Sequence, residues 1–423
     1  MRAPVVLAAL GVLAVAAPPA SAAWRAQRLP SSPATASIDP PSIASNARGD
    51  TAVAWIARPR AFVAVRHAGA ARFGRPIELR RFARPRVAVL SDGSVLIASQ
   101  LGDRTVVGRR PCCPIVFAQR LAPGSRRPTP LRPVTTRGIS VGGWALAAGL
   151  RGHAALVADV DGLALASSRG AGVFGPLTTQ PLPPFGQPAI GFGGDGRGLA
   201  LWSEGDYGSE QRLIGAPISR DGRLAKPRTL VTAPDPLSSS AFLDVRLGLD
   251  ERSRVTALWL DEGQFFKTPS TIDMATGSVG RIGRPQVIGG GGPLPGGVRD
   301  PTLAVARNGR AIAAWRLFGA VEQNIVAIRR GPRSPFRLLP ALPGDGYGAR
   351  VAILPSGNAV VVSGFGSRAR ARLISPSGMF GRPRLLSGHP TALSVALSAA
   401  GRHITMAWGT KRGLRVETYT PSR

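Results

Sequence analysis

Two segments of the chain combine carboxylates with aromatic side chains: WSEGDYGSEQ (residues 202–211) and WLDEGQFFKTPS (residues 259–270). Two facing carboxyl groups about 5–10 Å apart could act as the acid and base of a glycosidase. Carboxylate oxygens could also bind Ca²⁺, but we expect no cofactor and assign no metal ligand or catalytic residue. The candidate ligand-binding residues are Glu204, Asp206, Tyr207, Asp261, Glu262 and Phe265.

The two cysteines of the chain, Cys112 and Cys113, are adjacent in RRPCCPIVFA. Their Cα atoms are about 3.8 Å apart if the peptide bond is trans, which is closer than in ordinary disulfides. Because export favours oxidation, we expect a vicinal disulfide that shapes a loop. Inter-chain pairing and free thiols are the alternatives, and no C-x-x-C motif supports a redox activity.

Three short motifs resemble functional signatures. GISVG (residues 138–142) fits a nucleophile elbow, and GFGGDG (residues 191–196) fits a dinucleotide loop. Both signatures need a helix after the motif, and neither is followed by helical periodicity. RGD (residues 48–50) occupies the same repeat position as GFGGDG. We therefore expect the second and third motifs to be hairpin turns and the first to be a chance match.

The first 22 residues have the features of a secretory signal peptide. Arg2 precedes an apolar run, and Ala20-Ser21-Ala22 forms a cleavage site before Ala23. No later run reaches the ~18 apolar residues that a membrane helix needs. We expect one mature domain, residues 23–423, which is secreted to the extracellular space or cell wall and has no membrane span. We also expect it to be a monomer.

The chain is strongly basic, with a formal net charge of +31. Only three of its 54 basic residues are lysines, and the arginines are spread along the chain without a run of five or more. An exported protein rarely meets nucleic acid, so we expect no nucleic-acid partner. Anionic partners outside the cell, such as acidic polysaccharide, wall polymer or lipid headgroups, fit the positive field better.

A repeat of an apolar stretch, a short turn and a second apolar stretch occurs eight times. Examples are PSIASNARGDTAVAW, PRVAVLSDGSVLIAS and PTLAVARNGRAIAAW. The pattern predicts a β-hairpin, because Asp-Gly and Asn-Gly provide the positive φ of a tight turn. The expected turn residues are Gly49, Gly93, Gly152, Gly196, Ser253, Gly309, Gly357 and Gly401.

Each repeat continues with a third strand and a fourth segment of the type RFGRPIEL. A proline inside a strand belongs at a sheet edge, because it lacks the N–H of a central ladder. Four antiparallel strands per roughly 50 residues predict an all-β fold, a β-propeller of eight four-stranded blades, with seven as the alternative. The last repeat lacks its fourth strand, and AAWRAQRLPSS at the mature N-terminus resembles that segment. We therefore expect an N-terminal outer strand to complete the last blade.

The repeat GxAVAAW…VxxRxxxGxFGxPxxL resembles that of secreted bacterial β-propeller proteins grouped with the sialidase superfamily. The resemblance covers the mature chain and implies the fold. The Asp-box of sialidases, S-x-D-x-G-x-x-W, is absent from every repeat, and no arginine triad is assignable from the sequence. The catalytic residues of that superfamily are therefore not carried over.

Tryptophan recurs at the end of the second strand, where we expect it to pack between blades, with sugar stacking as the alternative. The loops between second and third strands would lie on one face, the long-loop face, together with the blade-to-blade connections. They hold nine of the 23 acidic residues: Asp103, Asp159, Asp161, Glu204, Asp206, Glu210, Asp261, Glu262 and Glu322.

Long loops on a rigid scaffold concentrate binding residues, although solvated loop charges would give the same pattern. The leading interpretation is a non-catalytic scaffold that binds a glycan or an anionic cell-envelope polymer at the long-loop face. The alternatives are a sialidase-like glycoside hydrolase or lyase that uses the loop carboxylates, and a protein-docking module.

The vicinal disulfide predicts the result of an alkylation experiment on the purified protein. Without reductant, mass spectrometry should find neither Cys112 nor Cys113 alkylated, and after reduction it should find both alkylated. Alkylation of both thiols without reductant would rule the disulfide out.

Overall fold

The computed structural model describes most of residues 23–423. The described residues are 23–29, 41–57, 60–79, 84–101, 106–107, 110–111, 115–135, 143–149, 152–159, 163–168, 174, 178–180, 188–205, 210–232, 242–262, 270–290, 297–319, 321–344, 348–364, 369–387, 395–410 and 413–422. Within these ranges the regular secondary structure is β-strand, and no helix long and apolar enough to cross a membrane occurs in them.

Antiparallel sheets follow one another along the chain. The N-terminal strand is β1 (Ala23–Leu29). Blade 1 contains β2 (Ser42–Ser45), β3 (Thr51–Ala57), β4 (Arg60–Arg66) and β5 (Ile77–Leu79). Blade 2 contains β6 (Arg86–Val89), β7 (Val95–Leu101), β10 (Ile115–Leu121) and β11 (Arg132–Pro133), with β8 (Val106–Val107) and β9 (Arg110–Pro111) between its second and third strands. Blade 3 contains β12 (Trp144–Ala148), β13 (Ala154–Asp159), β14 (Leu163–Ser168) and β15 (Thr178–Gln180).

The second half of the chain repeats this arrangement. Blade 4 contains β16 (Ala189–Phe192), β17 (Gly198–Glu204), β18 (Arg212–Ile218) and β19 (Arg228–Thr232). Blade 5 contains β20 (Phe242–Leu249), β21 (Arg254–Asp261), β22 (Thr271–Ser278), β23 (Arg281–Ile282) and β24 (Gln286–Gly290). Blade 6 contains β25 (Val298–Val305), β26 (Ala311–Leu317), β27 (Gln323–Arg329), β28 (Arg337–Leu338) and β29 (Leu342–Pro343). Blade 7 contains β30 (Arg350–Ile353), β31 (Ala359–Ser363), β32 (Arg370–Ile374) and β33 (Arg384–Leu385), and blade 8 contains β34 (Val395–Ala400), β35 (His403–Thr410), β36 (Gly413–Thr420) and β1.

The first strands of the blades form a closed ring. Each contacts the first strands of the preceding and following blades, in the order β2, β6, β12, β16, β20, β25, β30, β34 and back to β2. The eight sheets therefore surround a central channel, and the fold is the eight-bladed β-propeller that the repeat predicted. In blades 5 and 6 the outermost position is divided between two short strands that pair with the same third strand.

The N-terminal strand closes the ring. β1 pairs antiparallel with β36 over its whole length, from Ala23 opposite Thr420 to Leu29 opposite Leu414. Trp24 lies against Tyr419 with ring centroids 5.1 Å apart. The prediction that the segment from Ala23 to Leu29 completes the last blade as its outer strand is confirmed.

The hairpin turns between first and second strands have the predicted backbone. All eight turn residues lie at positive φ, including Ser253 at 55°, the one among them that is not glycine. RGD forms the turn of blade 1, where the buried Asp50 carboxylate accepts hydrogen bonds from the side chains of Asn46 (2.7 Å) and Arg48 (2.8 Å). GFGGDG is the turn of blade 4, and GISVG lies outside the described residues.

The core lies between neighbouring blades. Because side chains alternate along a strand, each blade contributes one apolar face to each neighbour. Five tryptophans that end second strands are at most 2% exposed: Trp55, Trp202, Trp259, Trp315 and Trp408. They pack between blades, which confirms the packing interpretation and leaves these rings inaccessible to sugars.

The insertion in blade 2 contains more structure than the sequence indicated. It includes a two-stranded ribbon, β8 and β9, where the sequence predicted only a loop. Cys112 and Cys113 lie outside the described residues, so their disulfide stays a prediction.

Because β1 closes the ring, a substitution at one of its buried residues should strongly lower the free energy of unfolding. Leu29 is 1% exposed and packs in the cluster that joins blade 8 to blade 1. Leu29→Ala should lower the free energy of unfolding by about 3 kcal/mol, because it leaves a cavity in a packed core. Arg28→Ala, at an exposed position of the same strand, should change it by less than about 0.5 kcal/mol. Urea unfolding measures both variants, and equal small effects would contradict the closure.

Candidate functional site

The predicted binding residues that the structure describes lie at the ends of second strands. Glu204 is the last residue of β17, Asp261 is the last residue of β21, and Glu262 follows it. Asp206, Tyr207 and Phe265 lie outside the described residues. The described members are on the long-loop face, as expected.

Each of these carboxylates has a nearby charged group. The Glu262 carboxylate lies 3.3 Å from the Arg299 guanidinium. Glu204 is opposite Arg212, whose pKa is raised by a hydrogen bond and charge from Glu210 and, to a smaller extent, by the charge of Glu204. Glu204 and Glu262 thus each lie beside an arginine.

Asp261 lies beside a second carboxylate, Asp273 on β22. The pKa of Asp273 is raised to about 6, mainly by burial and also by the charge of Asp261, while a hydrogen bond from the Thr271 hydroxyl partly opposes both effects. Asp273 pairs across the sheet with Trp259, whose ring packs against blade 4. The carboxylate pair therefore faces the boundary between blades 4 and 5 and not the central channel.

Three arginines occupy equivalent positions on first strands. Arg86 pairs with Ala98, Arg246 with Leu258 and Arg350 with Val362. In each case the partner lies five residues after the turn residue of its hairpin, which places the three arginines in one layer around the channel. We call them the channel arginines.

The charges of the channel arginines interact across the channel. Burial lowers the pKa of Arg86, and the positive charges of Arg246 and Arg84 lower it further. Burial likewise lowers the pKa of Arg350, as does the charge of Arg246. Arg86, Arg246 and Arg350 belong to blades 2, 5 and 7, which are not neighbours. Their mutual effect therefore acts through the lumen.

Backbone carbonyls and one ring support the channel arginines. The Arg86 guanidinium donates to the Trp144 carbonyl (2.5 Å) and lies 4.6 Å from the centroid of the Trp144 ring. Arg350 donates to the Ala349 carbonyl at 3.3 Å. Within the described part of the chain, no carboxylate comes within 4.0 Å of Arg86 or Arg350, whereas Arg246 pairs with Asp244 at 3.1 Å.

Two β-bulges shape the rim of the channel. The pairing of β20 with β21 shifts between Leu243 and Arg246, and the pairing of β25 with β26 shifts at the equivalent place. Asp244 and Asp300 lie in these bulges at φ 51° and 55°, a region that aspartate tolerates better than most residues. The first bulge sets the direction of the Arg246 side chain. The negative charges of Asp244 and Asp300 partly offset the lowering of the Arg350 pKa by Arg246.

The opposite end of the channel has different chemistry. A cavity of about 390 Å³ is lined there by the ends of first strands, including Leu247, Val305 and Ile353, together with Asn46 and Arg307. Small and aliphatic side chains therefore make up most of the lining at the hairpin end, with Arg307 among them, whereas the channel arginines lie at the long-loop end. Among the described residues no group of three or more His, Cys, Asp or Glu side chains converges to hold a metal ion.

Sequence reasoning missed the channel arginines. RVAVL (residues 86–90) and RVAIL (residues 350–354) each begin with arginine at the same repeat position. An alignment of the repeats by register would have identified this signal. Amino-acid composition alone does not identify this position, because arginine is common throughout the chain.

No protein-family model matches the chain, and no curated protein matches it. Solved structures that resemble it include a lectin from Burkholderia pseudomallei, at 12% identity over 83% of this chain and all of that one, with a TM-score of 0.49. An ulvan lyase of a polysaccharide lyase family aligns at 10% identity over 88% of this chain and 92% of that one, with a TM-score of 0.44. An α-L-arabinofuranosidase from Fusarium graminearum aligns at 11% identity over 81% and 93%, with a TM-score of 0.45. Similarity at this level carries no information on ligand or reaction.

The raised pKa of Asp273 predicts a pH-dependent stability. The folded chain holds this proton up to about pH 6, whereas the ordinary value for an unfolded carboxyl is 3.8. The native state therefore binds more protons between these values, and the free energy of unfolding falls as pH rises through this window. Asp273→Asn should raise that free energy by about 1–2 kcal/mol at about pH 8 and leave it nearly unchanged at about pH 4. Urea unfolding at the two pH values measures this, and an equal effect at both would contradict the prediction.

Proposed function

We propose that this propeller is an exported binding scaffold whose ligand is an anionic glycan or cell-envelope polymer. The ligand would place an acidic group among the channel arginines, at the long-loop end of the channel. We propose secretion of residues 23–423 as a monomer without a membrane span, with no nucleic-acid partner, and no catalytic step is assigned to the site.

The observation that carries this proposal is positive charge in the channel that the described carboxylates offset only in part. Arginine remains protonated in proteins, so the lowered pKa values of Arg86 and Arg350 reflect cations held in an unfavourable environment. Carbonyl acceptors satisfy part of their hydrogen-bonding capacity without neutralising them. An incoming carboxylate, sulfate or phosphate would supply the missing charge and accept the remaining guanidinium N–H groups.

The geometry favours a ligand with its acidic group at one point and a larger body beside it. The channel arginines approach from three non-adjacent blades, so one anionic group at the axis could contact more than one of them. The Trp144 ring lies against the Arg86 guanidinium and is 5% exposed. The predicted binding residues that the structure describes, Glu204, Asp261 and Glu262, lie on the same face, so the remaining sugar units would contact that face.

The described carboxylates are arranged less well for the hydrolase or lyase alternative. Glu262 is paired with Arg299, and Asp261 with Asp273 faces the boundary between blades 4 and 5. We therefore place binding ahead of catalysis. Incubation with the polymer and chromatography of the products tests the alternative directly, since shorter chains would establish turnover.

A double variant tests the role of the channel arginines in binding. Arg86→Gln with Arg350→Gln should weaken binding of polygalacturonate oligosaccharides by roughly tenfold or more, because charge-assisted hydrogen bonds are lost. The control is Arg223→Gln with Arg330→Gln, which removes the same charge from exposed arginines in turns on the opposite face. Calorimetric titration should show less than roughly a twofold change for the control.

Two further measurements distinguish specific binding in the channel from nonspecific electrostatic attraction of the ligand to the basic protein. Neutral oligosaccharides of equal length should not compete for the channel. The channel variant should also melt at or above the wild-type temperature, because it removes two cations from an unfavourable environment in which no described carboxylate pairs with them. Equal weakening by both double variants, or a channel variant that melts far below wild type, would overturn the proposal.

A further inference from the structure

A cavity of about 410 Å³ lies at the seam where the N-terminal strand of blade 8 meets blade 1, away from the channel. We call it the seam cavity. Its lining includes three arginines, Arg25 on β1, Arg66 at the end of β4 and Arg72 in the turn that follows. Gln27 of β1 fixes this turn, because its side-chain amide exchanges two hydrogen bonds with the backbone of Phe73, at 2.7 and 3.0 Å.

Arg66 lies at the base of the seam cavity and is 6% exposed. Its guanidinium donates to three hydroxyls, those of Thr418 (2.7 Å), Thr51 (3.2 Å) and Thr405 (3.2 Å). Within the described ranges, no carboxylate lies within 4.0 Å of it. Burial lowers its pKa, so the cavity contains a buried cation that neutral groups alone support.

The boundary between blades 5 and 6 repeats the same arrangement and serves as a structural reference. Arg329 ends the third strand of blade 6, donates to the Thr256 hydroxyl of blade 5 at 2.6 Å and lies over Phe336 at 5.3 Å. Arg66 contacts Thr405 of the preceding blade and lies over Phe73 at 5.4 Å. An arginine that bridges two blades is therefore one structural device of this chain.

The two boundaries differ in the charges around that arginine. At Arg329 the negative charge of Asp250 opposes the effect of burial on the pKa, and the positive charge of Arg254, which is itself paired with Asp250, adds to that effect to a smaller extent. At the seam the lining instead adds Arg25 and Arg72, both exposed, and neither pairs with a carboxylate in the described part of the chain. The seam thus has more positive charge than a bridge between blades requires.

A histidine beside the seam experiences this field. His403 bonds through Nδ1 to the Thr420 hydroxyl at 2.8 Å. Burial lowers its pKa, and the positive charges of Arg66, Arg402 and Arg25 lower it further. The imidazole can therefore report a change of charge in the cavity.

We propose that the seam cavity is a binding site for an oxyanion group, which Arg66 holds from below and Arg25 and Arg72 hold from the two sides. The chemical class is a phosphate or sulfate group, either free or carried by a larger molecule. Because Arg25 belongs to the closing strand and Arg72 to blade 1, the bound anion joins the two parts that close the ring. Binding is therefore coupled to the stability of closure.

The proposal is independent of the channel site, and the experiment keeps the two apart. Thermal unfolding is measured in the Arg86→Gln, Arg350→Gln background, which lacks the two unpaired channel arginines, in inorganic phosphate, sulfate or chloride at matched ionic strength. Phosphate and sulfate should raise the melting temperature in a saturable manner by about 2 °C or more relative to chloride, because they bind the folded state. Adding Arg25→Gln and Arg72→Gln should abolish this rise.

The matched control is Arg28→Gln with Arg75→Gln, in the same background. Both residues are exposed arginines on the same two segments, and neither lines the seam cavity. This variant should keep the full response to phosphate. Loss of the response in the control, or its persistence without Arg25 and Arg72, would overturn the proposal, as would equal melting temperatures in phosphate and chloride.

NMR titration of His403 gives a second readout that does not depend on melting. The His403 resonance is assigned by its loss in His403→Gln. Phosphate should raise the pKa of His403 in the seam-intact protein, because added negative charge favours the imidazolium, and should leave it unchanged without Arg25 and Arg72. An unchanged pKa in both would contradict the proposal.

A final arm identifies the source of the anion. Mannose 6-phosphate and a phosphodiester-linked glycerol polymer are compared with inorganic phosphate in the same melting assay. A response to inorganic phosphate alone indicates a site for the free ion, and a response to the polymer indicates a second contact with envelope material. If none of the three compounds raises the melting temperature while polygalacturonate still binds the wild-type chain, the seam site is ruled out and the channel proposal is unaffected.

Discussion

The antiparallel pairing of β1 with β36 is the interaction on which the rest of the molecule depends. It joins the N-terminal strand to the last blade from Ala23 opposite Thr420 to Leu29 opposite Leu414. A repeat fold buries its core between neighbouring units, so an open chain of blades would expose two apolar faces. Closure removes both ends and brings first strands from distant parts of the sequence around one channel.

Both candidate sites are consequences of this closure. The channel arginines belong to blades 2, 5 and 7, and their charges affect one another only because the ring is complete. The seam cavity is formed directly by the closing strand and blade 1. Arg86 and Arg350 in the channel and Arg66 in the seam are partly or fully buried with no carboxylate within 4.0 Å among the described residues, which disfavours the folded state. The hydroxyl, carbonyl and aromatic contacts around them hold these cations in place.

Repetition explains how a basic chain accommodates such groups. Arg66 and Arg329 each bridge two blades through a threonine of the preceding blade and a phenylalanine of their own. The surroundings then differ, because the paired Asp250 and Arg254 lie near Arg329, whereas Arg25 and Arg72 line the seam cavity beside Arg66. A shared structural contact thus acquires a different electrostatic environment at each boundary, since loops and turns vary more freely than packed strands.

The sequence by itself determined the all-β class, the eight hairpins, their positive-φ turn residues and the closing strand, because turn chemistry and the two-residue period act over a few neighbouring residues. It also located the tryptophans between blades. Only the tertiary structure decided that Asp273 joins Asp261, that Glu262 pairs with Arg299, and that Arg86, Arg246 and Arg350 share one layer. Those groups are separated along the chain by up to several blades, so their burial and mutual charge effects exist only after the ring has closed.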